Sequence, residues 1–232
     1  MAVLRFRFRS SSELRRPITC EVIAGPPNPF DIGRVDVQDY LRLYIAQVNH
    51  MPTYQIHTIA SAPEKSKPAL EQLQQAFGVL PNIAAVIANS PKLVNSLVGV
   101  FQQVHSSSFT EPEIQIVLLT DAVANTSKYA VAFHTALALQ QGVSPEETNA
   151  IRDGRTPQYE RFAALSMLAK TLIEKRGHLG EQERGAFLDA GFTTEQIMEV
   201  IAIVAASTIT NYAGTIANPP LDDRFQEFAW RG

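Results

Sequence analysis

Glu111 to Gln140 reads EPEIQIVLLTDAVANTSKYAVAFHTALALQ, two apolar segments that meet at Asn125-Thr126-Ser127, with His134 two helical turns past the junction. Thr110-Glu111-Pro112-Glu113 has the form of a capping box, so a helix is expected to begin at Glu111. Ser127, Ala130 and His134 stand at i, i+3 and i+7 and share one face of the helix that follows Asn125. The stretch therefore predicts two adjacent buried helices with a single polar face.

Working outward, every strong signal is helical. Leu70, Leu73, Phe77 and Leu80 recur at helical spacing until Pro81 interrupts them. Ser90-Pro91 supplies a cap and first-turn proline for a helix carrying Leu93, Leu97, Val100, Phe101 and Val104. Ser144-Pro145-Glu146-Glu147 and Thr193-Thr194-Glu195-Gln196 repeat the capping signal, and Thr156-Pro157 is expected to open a helix through Tyr159, Phe162, Leu165, Leu168 and Leu172. No strand pattern of comparable strength follows residue 60. The expected fold is all-α, roughly eight to ten helices. Ile114–Ala124, Tyr129–Leu139 and Ile197–Ile209 are apolar nearly all round, which places them inside a bundle or at a subunit interface and points to a homo-oligomer.

The first 50 residues differ. MAVLRFRFRSSSELRR alternates arginine with apolar residues, like a short strand or a transit-like leader, but lacks the apolar core of a secretion signal. Gly25-Pro26-Pro27-Asn28-Pro29 marks a loop, and Val37–Val48 a short amphipathic piece. Residues 1–50 read as an N-terminal arm or an extension beyond the natural start, and 51–232 as the helical domain.

Composition excludes several function classes. Of 232 residues, 45% are hydrophobic and 19% charged, as in a packed globular protein. A net charge of −3 without a basic face after residue 50 argues against nucleic acid as a partner. Ile201–Leu221 is uncharged but holds Asn211, Asn218, Pro219 and Pro220, so it reads as a buried helix and no membrane partner is expected. Cys20 is the single cysteine, which excludes an intrachain disulfide and fits a reducing, cytoplasmic location. His50, His57, His105 and His178 have no metal-ligand spacing, and no phosphate loop or nucleophile elbow occurs; neither metal nor cofactor is expected.

Residues 66 to 230 resemble the carboxymuconolactone decarboxylase and alkylhydroperoxidase D superfamily, whose motif is a glutamate, a cysteine twelve residues on, then x-x-Cys-x-x-x-His. Val117-Leu118-Leu119, Asn125, Tyr129, His134, Ala136-Leu137-Ala138 and Gly142-Val143-Ser144 hold the register. Ala190-Gly191 with Glu195-Gln196-Ile197, and Asn211-Tyr212 ahead of Leu221-Asp222, resemble its second-half signatures. The resemblance implies a bundle of two related helical halves and a trimeric or hexameric assembly.

It also marks what has changed. The cysteine positions hold Ser127 and Ala130, the glutamate position holds Gln115, and a second-half histidine position holds Thr215. Serine cannot replace cysteine in a disulfide cycle, so thiol peroxidase activity is not expected and the active site is degenerate. The decarboxylase branch needs proton transfer rather than sulfur. One expectation is a non-thiol lyase or decarboxylase-type enzyme in which His134 moves a proton while Ser127, Gln115 and Tyr129 orient a small carboxylated ligand. The other is a catalytically inactive oligomeric binding or scaffold protein, with His134 held in the core by a backbone carbonyl or by Gln115, and Ser127 serving as a helix cap. Lys128 faces either an acidic substrate or water.

Overall fold

Nine α-helices and two short 3-10 turns, without a strand, make up the described residues of the computed structural model, Tyr54–Gly232. The arm expected over residues 1–50, with Cys20 and His50, lies outside the described residues. The helices are α1 Lys67–Phe77, α2 Asn82–Ile87, α3 Pro91–His105, α4 Glu111–Ala124, α5 Lys128–Gln140, α6 Pro145–Arg152, α7 Glu160–Glu174, α8 Glu181–Asp189 and α9 Thr194–Ala217; the 3-10 turns are Glu64–Ser66 and Asp223–Phe228.

Local chemistry sets most of the helix ends. The Thr110 N–H and hydroxyl both donate to Glu113 Oε2, at 3.0 and 2.9 Å, where α4 begins. Burial pushes the Glu113 carboxyl up, but those donors and the Arg161 guanidinium, 2.8 Å away, outweigh it and hold the group below its ordinary range. At α9 the box closes both ways: Thr193 N–H donates to Gln196 Oε1 at 2.9 Å and Gln196 N–H to Thr193 Oγ1 at 3.2 Å. Ser144 accepts the Glu147 N–H, but Glu147 does not return the bond. Its carboxylate instead takes the N–H groups of Gln158 and Tyr159, each at 2.8 Å.

That capture corrects the expected start of α7. The helix begins at Glu160, after Tyr159, and not at Thr156-Pro157; Tyr159 is 53% exposed rather than in the core. Likewise α1 ends before Pro81 is reached, because Gly78 turns left-handed at φ 73°. A residue without Cβ takes that turn at little cost.

The α4–α5 hairpin is the centre. Residues 113 to 122 of α4 are all buried, so the helix is wrapped on every side, as a segment apolar all round requires. One core cluster joins α4 to α7, α8 and α9; a second joins α1, α2, α3, α5 and Phe225. The hairpin turn is tight: Ser127 N–H reaches back to Ala122 O at 2.9 Å while Thr126 sits at φ 52°. For a β-branched residue this left-handed conformation costs about 1–2 kcal/mol.

Helix α9, 24 residues long, departs from the expectation of a buried helix. One face carries Ile197, Val200, Ile203 and Ala206 into the core, but Met198, Ile201, Tyr212 and Ile216 on the other are 46% to 69% exposed. By length and composition alone α9 could cross a membrane; a third of that apolar window is buried in the fold.

Candidate functional site

The α4–α5 pairing brings His134 and Gln115 together. Each is at most 4% exposed, and Gln115 Oε1 lies 3.1 Å from His134 Nδ1. With that oxygen as acceptor, Nδ1 carries the ring proton and Nε2 keeps its lone pair. Burial, helped by the charge of nearby His105, pushes the imidazole down to about 3, so it is neutral at pH 7. A group so depressed is a hydrogen-bond acceptor and a weak base at Nε2, and its one ring proton is already engaged by Gln115.

Beside it is a pocket whose cavity volume is about 30 Å³. Leu73 and Phe77 from α1, Leu97 and Phe101 from α3, Tyr129, Ala130, Phe133 and His134 from α5, and Thr210 from α9 contribute to its wall. The wall is almost entirely apolar. Phe133 packs edge-on to Phe77 at 5.2 Å and to Phe225 at 4.9 Å between ring centroids.

The four expected site residues thus part company. Tyr129 borders the pocket with His134, but its hydroxyl accepts the Ile83 N–H at 3.3 Å and donates to Asp222 Oδ2, tying the 3-10 turn after α9 to α2 and α5. Burial first, then Asp222, drives that phenol far above its ordinary range, so it does not ionise. Ser127 occupies the cap position of α5, but its side chain makes no cap hydrogen bond. It packs near Gly214 of α9, where a Cβ would stand 3.8 Å from its Oγ, and it does not line the pocket. Gln115 acts only through His134.

Two acids were missed. Asp222 is paired with Tyr129 across 93 residues, and only the Leu221-Asp222 signature hinted at it. Asp121 is fully buried in α4, and neither carboxylate oxygen has a hydrogen-bond partner among the described residues. Burial raises its carboxyl well above the ordinary range, and Ser207 beside it only partly counters this. Asn211, which donates to Ser207 Oγ at 3.0 Å, also leaves its own Oδ1 unpaired. The signal was available: an acid in the middle of a helix apolar on all sides has no water to face.

The described helices have the alkylhydroperoxidase D-like fold. Among solved structures, an uncharacterized peroxidase-related protein from Ralstonia eutropha JMP134, described as an alkylhydroperoxidase AhpD core, superposes with a TM-score of 0.65 at 18% identity, over 75% of this chain and 94% of that one. A peroxidase-related protein from Silicibacter sp. TM1040 gives 0.61 at 16%, over 75% and 94%. The debrominase Bmp8 in complex with 2,3,4-tribromopyrrole gives 0.61 at 16%, over 71% and 89%. No family model and no curated protein matches the chain. At these identities the likeness establishes the fold.

Placing an acid at position 115 tests the imidazole's partner. In Gln115→Glu a carboxylate would face Nδ1–H and favour the protonated ring. The His134 protonation midpoint, followed by NMR of the ring protons, is expected to rise from about 3 toward neutrality. An unmoved midpoint would mean that the 115 side chain does not face the ring in solution.

Proposed function

We propose that this chain is a catalytically inactive, homo-oligomeric scaffold of the alkylhydroperoxidase D-like fold, working in the cytoplasm, in which the former reaction centre has become core. The observation that carries this reading is the His134–Gln115 pair: a neutral imidazole, fully buried, beside a cavity of about 30 Å³. An apolar cavity of roughly 150 Å³ is what admits a benzene ring. The space at His134 is far below that, and among the described residues no cationic side chain lines it for a carboxylate. Ser127 and Ala130 supply no thiolate for peroxide chemistry.

A second reading, a non-thiol lyase or decarboxylase-type enzyme, is favoured by one feature: His134 borders the pocket rather than a solid wall. In that reading Nε2 takes a proton from a small ligand that enters as the surrounding phenylalanines move aside. The two readings differ in thermal melts of the full chain with a hydroperoxide, a lactone acid and 2,3,4-tribromopyrrole. The scaffold reading expects no rise in Tm and no turnover, with His134→Ala changing stability alone. Saturable stabilisation of about 2.7 kcal/mol at a hundredfold excess over Kd, lost in His134→Ala, would replace it with the second reading.

A further inference from the structure

The outer face of α9 is apolar, uncharged and symmetric along its own length. Met198 is 62% exposed, Ile201 46%, Tyr212 58% and Ile216 69%. No charged residue lies between Glu199, which accepts hydrogen bonds from Ser108, and Asp222. The residues of this face, Met198, Ile201, Ala205, Thr208, Tyr212 and Thr215, alternate steps of three and four, the spacing by which one helix packs along another. The opposite face, with Ile197, Val200, Ile203 and Ala206, is already spent on the core.

The order of sizes selects the partner. Ala205 and Thr208 are equidistant from the midpoint between Ala206 and Ser207; so are Ile201 and Tyr212, and so are Met198 and Thr215, with Ile216 next to it. Small residues stand at the middle, Ile201 and Tyr212 at equal distances on either side, and Met198 and Ile216 near the two ends. A two-fold contact must be self-complementary, residue i meeting j while j meets i. Laid antiparallel on a copy of itself, α9 brings Ile201 against the partner's Tyr212 and Met198 against the partner's Thr215 and Ile216, with Ala205 and Thr208 letting the backbones approach at the crossing.

We infer that the exposed face of α9 is a homodimer contact, an antiparallel helix pair about the midpoint of the helix. At 1.5 Å per residue, Met198 to Ile216 give a seam of about 27 Å. A contact of this symmetry makes the dimer the building block of any larger assembly, so a hexamer can use it and a free-standing trimer cannot. The inference specifies the oligomer of the scaffold reading but draws nothing from His134, so ligand melts and association measurements can fail separately.

Sedimentation equilibrium on the full chain tests it. The wild type is expected to form dimers or even multiples of them. Ile201→Lys or Tyr212→Glu alone, each burying an unpaired charge in the seam, should weaken association at least about tenfold. Combined in one chain, Ile201→Lys and Tyr212→Glu face each other twice across the two-fold axis and should restore association. Ile216→Lys, at the most exposed of these positions, serves if either variant loses its helical circular dichroism.

A full chain that stays monomeric at tens of micromolar overturns the inference; flotation with anionic phospholipid vesicles then shows whether a membrane takes the face. Association unchanged in both single variants overturns it as well. Single variants that dissociate without rescue in the double variant overturn the antiparallel pairing.

Discussion

Phe133→Ala is expected to destabilise the protein by about 3–5 kcal/mol, the usual range for removing a buried phenyl group. Phe133 is 7% exposed and its ring meets Phe77, Tyr129, His134 and Phe225, so α1, α5 and the C-terminal 3-10 turn lose a common partner at once. In a unit of this size the loss corresponds to a fall in Tm of roughly 6–20 °C. The vacated volume adjoins the pocket at His134 and is lined by apolar atoms. Such a cavity stays dry and admits small aromatic molecules, so benzene should recover part of the lost Tm in the variant and none in the wild type. A cost below about 1 kcal/mol would mean that the aromatic cluster is not the packed junction described above.

The second large effect concerns Asp121. Its folded-state value lies above its unfolded one because burial penalises the carboxylate. Between those two values the native chain holds a proton that the unfolded chain has released, so stability falls as pH rises above the ordinary carboxylate range, until the folded value is passed. One such group contributes a slope of up to about 1.4 kcal/mol per pH unit. Asp121→Asn keeps the shape and removes the titration. Urea unfolding from pH 4 to 8 should therefore show the variant gaining on the wild type steadily with pH. Parallel curves would mean that Asp121 has a partner in solution that satisfies its carboxylate.

Much of the fold was legible because its signals are local. Thr110 with Glu113, Thr193 with Gln196, and Ser90-Pro91 set their helix starts through contacts within one turn, and the sequence contains both partners of each. The start of α7 failed for the opposite reason: Glu147, eleven residues before Gln158, takes the N–H groups that a helix starting at Thr156-Pro157 would have used. The site divides the same way. His134 and Gln115 were paired through the register of a resemblance, which carries spatial information that spacing alone does not. Tyr129 and Asp222 meet across 93 residues, and Phe77 and Phe101 reach the pocket from helices that the pattern marks only as apolar. The outer face of α9 was hidden because an apolar helix reads the same whether its second side meets the core or another chain.

Helix α9 also governs when the chain can fold. It packs against α2, α3, α4, α5 and α7, elements made between about 20 and 110 residues earlier. A ribosome therefore releases the central hairpin, with its fully enclosed α4, before the helix that encloses it exists. Until α9 is made, α4 must rest on transient partners, and the native core closes only once α9 is present. Truncations near the C-terminus would thus remove not a peripheral tail but the last wall of the core, leaving a chain with the right helices and nowhere to bury them.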